Sequence, residues 1–263
     1  MSVNIQMEFA VEMSCEACSD SITKVLKEKS VKVLDIDLDK QMVLVETNKP
    51  FQNIQETIES TGKRAALMGL GSSVGGKHLG AAVAEISGTK VRGVVRMLQL
   101  DEQNCLFEGT LDGLSPGEHG LNIHEFGDLS NGCVNCGEHY NPHGRQHGGR
   151  NKSERHVGDL GNISAEKNGR SVFRFVDDQV KVWDIIGRSM VVHEKADDLG
   201  QGQYDSSKQH GNSGQGLACG IVARSAGLMQ NVKRVCACDG IVLWDERNVP
   251  AAGVERSQFM QKL

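Results

Sequence analysis

Aromatic residues and proline are scarce in this chain, whereas glycine is plentiful. Phe, Trp and Tyr make up 4% of the 263 residues, and there are 4 prolines but 31 glycines. This composition favours short strands and loops over long helices. No window approaches 18 apolar residues, and the N-terminus lacks the basic start and apolar core of a secretion signal. We therefore expect neither a membrane span nor export.

The chain also lacks a strong excess of charge of either sign. Its net charge is −5 and no block of like charges occurs, which argues against nucleic acid or an acidic membrane surface as a partner. Its 8 cysteines, in a chain without an export signal, indicate metal or redox chemistry in the reducing cytoplasm. The length allows two or three modest domains.

The N-terminal region alternates between strand and helix patterns. Ile22, Val25 and Leu26 share one helical face, and other apolar residues alternate with polar ones as in strands. The βαββαβ order predicts an α+β ferredoxin-like domain over residues 1–70. The predicted elements are strand 4–9, helix 16–29, strands 31–39 and 42–47, helix 50–62 and strand 65–68.

A linker, a β domain and a tail are predicted to follow. Residues 71–80 are glycine-rich and offer little to bury, so they are predicted to be the linker. Short strands and glycine-rich turns indicate an all-β domain over residues 81–225. The polar interval between Leu121 and Gly161 predicts a long functional loop. Residues 226–263 are too few for a core of their own and are expected to form a largely irregular tail.

The segment MSCEAC, at residues 13–18, lies where the first strand meets the first helix. Two intervening residues let both sulfurs face one point, and a helix N-terminus favours thiolates. Thiolates without a nearby histidine select Cu(I) or zinc, so we predict a soft-metal site at Cys15 and Cys18. The alternative is a redox pair of the thioredoxin kind, which belongs in a βαβ framework that this segment lacks.

A second cysteine pair, Cys236 and Cys238, lies one residue apart in the tail. In an extended segment the two side chains project from the same side, with Cα atoms roughly 6.5 to 7 Å apart. A disulfide usually needs about 5.5 to 6 Å. The pair is therefore better suited to share a metal or to react with another molecule's sulfur. The alternative is two unrelated small residues.

The β domain concentrates potential metal ligands. Histidines at strand ends and along one loop, with an aspartate three residues after the last loop histidine, are zinc-compatible nitrogen and oxygen ligands. Each histidine alone is usually a surface residue, whereas their clustering in one glycine-rich framework favours metal binding. The residues are His124, His139, His147, His156, Asp159 and His193.

The first domain resembles the Atx1-like heavy-metal-associated domain in its M-x-C-x-x-C loop and its order of elements. This resemblance implies Cu(I) held by Cys15 and Cys18, with Met13 packed beneath the loop. Lys63 is placed to offset the charge of a two-thiolate copper site, but a lone lysine is more often simply solvated.

The β domain resembles Cu/Zn superoxide dismutase over roughly residues 80–225, which implies an eight-stranded Greek-key β-barrel. The matching segments are HEFGD at 124–128, NPHGRQHGG at 141–149, ERHVGDLGN at 154–162, VVHEKADDLG at 191–200 and GNSGQGLACG at 211–220. The resemblance implies zinc on His139, His147, His156 and Asp159, copper on position 122 with His124, His139 and His193, a linking Asp197 and a disulfide between Cys133 and Cys219.

Two positions depart from the dismutase pattern. Position 122 is Asn where the pattern has a copper-binding histidine, and an amide is a poor substitute for imidazole on copper. Position 216 is Gly where the pattern has an arginine that attracts and orients superoxide. We therefore predict a barrel that keeps structural zinc and has lost dismutase activity. The alternative is an active Cu/Zn superoxide dismutase with fused metal-binding extensions, which the retained copper-set histidines keep open.

The two domains and the tail together resemble the family of copper chaperones for superoxide dismutase over essentially the whole chain. This implies Cu(I) and zinc as metals, a heterodimer with immature Cu/Zn superoxide dismutase through the barrel, and a homodimer of the free chain. Cys236 and Cys238 are then implied to relay Cu(I) or to pass on a disulfide. The face that would imitate the enzyme's own dimer contact carries Gly127, Asp128, Ile186 and Gly187.

The remaining thiols and histidines match no assigned role. Cys136 is either a solvent-facing spare thiol or a functional one, and Cys105 is expected to be a small buried residue. A zinc-storing or thiol-redox module without a specific client is a third interpretation of the chain. The histidines expected at the surface are His78, His119, His143 and His210.

Overall fold

The computed structural model describes residues 3–73 and 78–230, so that Cys236 and Cys238 lie outside the described residues. These ranges form two compact units. The first unit contains the residues up to Ser73 together with Ala226 to Gln230, and the second ends at Ser225. No helix in these ranges combines the length and the apolar character that crossing a lipid bilayer requires.

The first unit has the βαββαβ order expected from the sequence, and its ferredoxin-like fold is confirmed. Its elements are β1 (Ile5–Val11), α1 (Glu16–Glu28), β2 (Lys32–Asp37), β3 (Met42–Thr47), α2 (Phe51–Glu59) and β4 (Ala65–Ser72). The strands form one antiparallel sheet in the order β2-β3-β1-β4, which makes β4 an outer strand.

β4 is longer than predicted, because it continues to Ser72 instead of ending at Met68. Gly69 and Gly71 pair in register with Glu8 and Gln6 of β1. Glycine inside a strand marks a place where another backbone approaches closely. The first residues assigned to the linker therefore belong to the sheet.

Strand alternation and helical periodicity explain the core of the first unit. Ile5, Met7 and Phe9 are fully buried and lie on one face of β1, because alternate residues of a strand point to the same side. Ile22 and Leu26 of α1 are also fully buried, and their spacing of four places them on one face of the helix. The helices pack on this face of the sheet.

The second unit is an eight-stranded antiparallel sheet that nearly closes into a barrel, as the dismutase resemblance implies. In sheet order the strands are β10-β8-β12-β13-β5-β6-β7-β11. The elements in chain order are β5 (Ala81–Gly88), β6 (Arg92–Gln99), β7 (Cys105–Asp112), β8 (Gly117–His124), β9 (Ser130–Cys133), β10 (Asp159–Ala165), β11 (Ser171–Asp177), α3 (Val182–Ile185), β12 (Ser189–His193), α4 (Ser207–His210) and β13 (Gly216–Ser225).

Sequence patterns missed four of these strands, β8, β9, β10 and β13. The interval between Leu121 and Gly161 is not one long loop, because its first residues belong to β8 and its last residues to β10. β8 is buried from His119 to His124, so its residues do not alternate between apolar and polar. A strand buried on both faces lacks the pattern by which a half-exposed strand is recognised.

The register of the barrel brings the predicted metal ligands together. β8 lies between β10 and β12. Asn122 is opposite Asp159 on one side and Val191 on the other, and His193 is opposite Gly216 of β13. Residues far apart in the sequence therefore face one region of the barrel.

Candidate metal centres

The loop between β1 and α1 brings two thiols together. Cys15 immediately precedes α1 and Cys18 lies in its first turn. Their Sγ atoms are 3.4 Å apart, with Cys15 exposed and Cys18 buried. Met13 is buried, as expected for a side chain packed beneath the loop. One open side and one protein-covered side suit a soft ion that must be exchanged with another molecule.

The thiol of Cys18 ionises unusually easily. Hydrogen bonds from the backbone of Ser14 and with the thiol of Cys15 lower its pKa from 9.0 to about 6. Cys18 is therefore mostly a thiolate at neutral pH, which is the form that binds soft metals. Lys63 and Cys18 line the same shallow pocket.

Four buried side chains converge on one point in the barrel. The Nδ1 atoms of His139, His147 and His156 lie 2.8, 3.0 and 3.3 Å from one oxygen, Oδ1 of Asp159. The other oxygen of Asp159 accepts hydrogen bonds from the backbone N–H groups of Gly148 and His156. The carboxylate is thus held in place while three ring nitrogens point at it.

This donor set fits a tetrahedral zinc ion. The Nδ1 atoms of His147 and His156 are buried, and their close contacts with Oδ1 of Asp159 lack hydrogen-bond geometry, so neither atom has a hydrogen-bond partner within the part of the chain that the structure describes. Such unpartnered polar atoms are costly, and a cation held by three ring nitrogens and a carboxylate satisfies them. Burial opposes ionisation of Asp159, but the three imidazoles hold its pKa well below the ordinary range. Asp159 is therefore ionised and contributes a negative charge that attracts a cation to the site.

A second carboxylate orients one ring of this zinc set. Oδ1 of Asp197 lies 2.7 Å from Nε2 of His147, on the side of the ring opposite Asp159. Carboxylates in this position fix the orientation of zinc-binding histidines. The other oxygen of Asp197 has no hydrogen-bond partner among the described residues, so the predicted link from Asp197 to the copper set stays a prediction.

Arg155, which the sequence reasoning did not single out, anchors the same loop. It is fully buried, and its Nη1 donates hydrogen bonds of 3.1 Å to the carbonyls of His156, Val157 and Asp159. Its Nη2 lies 2.6 Å from Oδ2 of Asp177 on β11. The available signal was an arginine directly before a predicted zinc ligand, in the segment ERHVGD.

A second cluster shares His139 with the zinc set. The ligand nitrogens of His124, His139 and His193 lie within 4.8 Å of one another. The carbonyls of Gly137 and Gly214 accept hydrogen bonds from His124 Nδ1 at 2.8 Å and His193 Nδ1 at 3.0 Å. Burial lowers the pKa of His124 to about 3 and that of His193 to about 4. Both rings are therefore neutral at pH 7 and available as ligands.

Asn122 lies beside this copper set without supplying an imidazole. It is fully buried, and its Nδ2 is 3.4 Å from Nδ1 of His139. Its Oδ1 has no hydrogen-bond partner within residues 3–73 and 78–230. The cluster thus offers three imidazoles and an amide oxygen, which is a weaker set for copper than four imidazoles. The structure brings the ligands named from the sequence together, and their metal binding stays a prediction.

Gly216 packs against Cys133, one of a group of three thiols. A Cβ at this position would lie 2.6 Å from Cβ of Cys133 and 2.8 Å from Cγ1 of Val191, so a larger side chain needs a shift of its neighbours. The Sγ atoms of Cys133 and Cys219 are 2.6 Å apart as free thiols, and their pairing stays a prediction. Cys136 is fully buried and packs with Cys219, so the interpretation of Cys136 as a solvent-facing thiol is wrong.

His119 was also misplaced by the sequence reasoning, because it is buried rather than at the surface. Its Nδ1 lies 2.8 Å from the carbonyl of His193, so it supports the backbone beside the copper set. The usable signal was the alternation of side chains along β8. His119 lies on the same face as Leu121 and Ile123, which are two residues of the barrel core.

An apolar face lies where the dismutase resemblance places the dimer contact. We define this face by Phe126, Gly127, Ile186, Gly187 and Ile221. Phe126 and Ile221 are exposed. A Cβ on Gly127 would lie 2.1 Å from the carbonyl oxygen of Gly187 and 3.5 Å from Cγ2 of Ile221. The lack of a side chain on Gly127 therefore allows its backbone to approach Gly187 and Ile221 closely.

Comparison with known proteins agrees with this arrangement. Residues 8–64 match the heavy-metal-associated domain family, and residues 91–222 match the copper/zinc superoxide dismutase family. The chain is 54% identical over 257 residues to the copper chaperone for superoxide dismutase of Rattus norvegicus and 52% identical to that of Homo sapiens, covering 97% of this chain and 93% of each relative.

A solved structure is similar over part of the chain. The crystal structure of the clock protein EA4 has a TM-score of 0.54 and 41% sequence identity, and the match covers 57% of this chain and 97% of that one. A heavy-metal-associated domain is thus followed by a copper/zinc superoxide dismutase domain in one chain. The similarity to proteins named as chaperones extends over both domains. On these grounds the chain belongs to the family of copper chaperones for superoxide dismutase.

Proposed function

We propose that this protein is a copper chaperone that delivers Cu(I) to immature Cu/Zn superoxide dismutase and promotes disulfide formation in it. The observation that carries the proposal is the contrast between the two barrel clusters. The zinc set is complete, whereas the copper set has Asn122 where an imidazole is needed. A barrel with its structural ligands but without a full copper set is suited to recognition rather than to turnover. The relatives named as chaperones support the same function.

Cys15 and Cys18 carry the copper cargo in this proposal. Two thiolates are the preferred donors for Cu(I), and the low pKa of Cys18 supplies one of them near neutral pH. The exposed Cys15 leaves one side of the ion open to an incoming sulfur. Copper can therefore acquire a new ligand before it loses an old one.

His139, His147, His156 and Asp159 hold zinc in this proposal. When bound, zinc supplies a structural cross-link between the loop after β9 and the start of β10. Asp197 orients the ring of His147. His124 and His193 are residual copper-site positions that remain beside Asn122.

The apolar face is proposed to bind the target dismutase as a heterodimer and to join two copies of the free chain. Contiguous exposed apolar surface marks protein contacts, and an apolar centre with polar surroundings is the usual anatomy of an interface. Asp128 is exposed next to Gly127 and supplies such a polar rim. The barrel then recognises a barrel of similar shape.

Cys236 and Cys238 are proposed to complete activation by relaying Cu(I) or a disulfide. For the disulfide, a two-electron oxidant such as molecular oxygen first converts the tail pair into a disulfide, which is strained at this spacing and therefore easily reduced. A target thiolate then attacks this disulfide, and a mixed disulfide forms as one tail thiolate leaves. The second target thiol then displaces the tail, so that the target is oxidised and the tail leaves as two thiols. We propose that this activity takes place in the cytoplasm, which the cysteine usage of the chain supports.

An active dismutase with fused metal-binding extensions is the competing function, and the three retained imidazoles favour it. A superoxide-consumption assay on copper- and zinc-loaded protein separates the two. The chaperone proposal expects no turnover beyond that of a free-copper control. Turnover close to that of a normal dismutase contradicts our interpretation of Asn122 and Gly216.

The role of the tail is tested with Cys236→Ser/Cys238→Ser in the full chain. This variant is expected to bind zinc-loaded, disulfide-reduced dismutase as the parent does, yet to fail in activating it. The matched control is Cys105→Ala, which removes a buried thiol outside the three predicted metal sites and should leave activation unchanged. Full activation by the tail variant rules out the proposed role.

A further inference from the structure

Residues Ala226 to Gln230, which follow β13, lie on the first unit, and we call them the docking segment. Gly227 forms a parallel bridge with Leu70 of β4, the outer strand of the sheet. The backbone N–H of Met229 donates a 2.5 Å hydrogen bond to Oε2 of Glu8 on β1. The segment therefore adds to the free edge of the sheet and also contacts the neighbouring strand.

Two glycines of β4 make room for this segment. A Cβ on Gly69 would lie 2.3 Å from the carbonyl oxygen of Gly227, and one on Gly71 would lie 2.4 Å from Cδ1 of Leu228. Real Cβ atoms do not approach other atoms so closely. The backbone of Gly227 can thus lie directly on the strand only because position 69 is glycine, and the glycine at position 71 leaves room for the side chain of Leu228.

Glu8 completes the seat, which we define as Glu8, Gly69 and Gly71. Its side chain is 6% exposed and shares the face of Gly69, because the two residues are directly opposite in the β1–β4 pair. Burial of a carboxylate is costly unless the group is hydrogen-bonded. The N–H of Met229 supplies that bond, so Glu8 has a hydrogen-bond partner where the docking segment lies against it.

The docking segment is also closed on itself. The N–H of Gly227 donates to Oε1 of Gln230 at 2.9 Å, and the N–H of Gln230 donates back to the carbonyl of Gly227 at 3.3 Å. Met229 has a φ of 58° within this turn. The chain therefore turns just after it pairs with β4, so the docking segment forms a hydrogen-bonded turn and does not continue as a strand.

We propose that the seat is a binding site for the chain's own docking segment, and that it tethers the tail thiols to the copper loop for intrachain transfer. The transfer rests on the proposed function, whereas the docking does not. Cys236 follows Gln230 by six residues, which span at most about 20 Å. From Leu70 back to Ala65, β4 covers about 17 Å, and Ala65 pairs with Val11 just before the copper loop.

The tether therefore allows the tail to reach the loop and keeps it near. Linking two sites by a short segment gives an effective concentration on the order of millimolar, far above the concentration of a second chain. In the transfer, the bonds from Cu(I) to Cys15 and Cys18 are replaced one at a time by bonds to Cys236 and Cys238. Copper keeps its oxidation state, and the two tail protons pass to the loop sulfurs or to solvent.

Docking is tested by hydrogen–deuterium exchange of the full chain, without copper or dismutase. Gly71→Leu fills the space of Leu228, and Glu8→Ala removes the acceptor of Met229. Each is expected to speed exchange in residues 226–230 by about tenfold or more. The matched control Ala66→Val adds volume to the same strand outside the seat and should change nothing. Parent-like exchange in both seat variants overturns the docking site.

A folding control keeps this test decisive. Peptides from α1 and α2 must exchange as in the parent, which shows that the first unit is intact. If Gly71→Leu disturbs the fold, Glu8→Ala still answers the question, because it only removes an acceptor on the sheet face that the helices do not cover.

The tether is tested by adding one equivalent of Cu(I) and following which thiols resist rapid alkylation. The parent is expected to move copper from loop to tail at a rate independent of protein concentration. The seat variants should be slower by about tenfold or more and concentration-dependent. Lost docking with unchanged transfer overturns the tether but leaves the chaperone function untouched. Failure of the parent to activate dismutase, with docking intact, instead contradicts the proposed function.

Discussion

Replacing Asp177 by asparagine tests how the barrel holds the zinc loop. Asp177 and Arg155 are fully buried and 2.6 Å apart. The other nearby carboxylate, Asp178, is 3.9 Å away and exposed, so it compensates little. Asparagine keeps the shape and the Oδ1 acceptor for the N–H groups of Gln179 and Val180. Its amide nitrogen cannot accept from the guanidinium, so the substitution removes the charge pair and little else.

The expected loss follows from this burial. Removal of one partner of a buried ion pair costs about 3–5 kcal/mol, against a total stability of about 5–15 kcal/mol for a typical domain. We expect Asp177→Asn to lower the free energy of unfolding of the metal-free barrel by about 3–5 kcal/mol. Arg155 also holds the carbonyls of two zinc ligands. Zinc affinity should therefore fall by about 10–100-fold, as for other groups that orient metal ligands.

Urea unfolding of the full chain measures the effect, with the fluorescence of Trp183 on α3 as the reporter for the barrel. Trp244, the other tryptophan, is replaced by Phe in every variant. The control is Asp112→Asn, because Asp112 pairs with Arg170 at 3.1 Å where both side chains are about half exposed. The control should cost less than about 1 kcal/mol. If Asp177→Asn costs no more than the control, the reasoning about the buried pair is refuted.

Three further predictions concern the copper loop, the copper set and the apolar face. Alkylation of metal-free Cys18 should fall as pH drops through about 6, because the thiolate is the reactive form; a midpoint near 9 contradicts the lowered pKa. Asn122→His should raise Cu(II) affinity by about tenfold or more in a competition titration, by adding an imidazole to the copper set; an unchanged affinity is evidence against Asn122 as the missing ligand. Ile221→Asp should weaken association with immature dismutase in calorimetry by about tenfold or more, because it places a charge in the apolar face. Val172→Asp changes a residue of similar exposure on β11 and should leave association unchanged; equal losses in both variants argue against this face.

The order of elements in the first unit could be predicted because each element has a local pattern. The spacing of Ile22 and Leu26 predicts a helix face, and both are buried there. β4 was predicted to end at Met68, which is too early. Nothing in the segment GLG at residues 69–71 reveals that another backbone lies against it. That contact comes from residues near 227, far away in the sequence.

The barrel strands that carry ligands were the hardest to predict. β8 and β10 contain Asn122 and Asp159 at buried positions, so polar residues stand where a core strand normally has apolar ones. Local alternation then fails, and the strands were assigned to one long loop. His119 was misjudged and the burial of Cys136 was left open, because the burial of one side chain depends on what the rest of the chain places over it.

The sequence by itself determined which donors this protein has and which it lacks. The two thiols of MSCEAC, the zinc-type set and the asparagine at 122 are matters of side-chain identity, which folding cannot change. Only the tertiary structure decided that Asp159 faces three imidazoles, that Arg155 is buried against Asp177, and that Glu8 meets the N–H of Met229 across 221 residues of sequence. Distances and burial between remote residues set these interactions, and no local pattern encodes them.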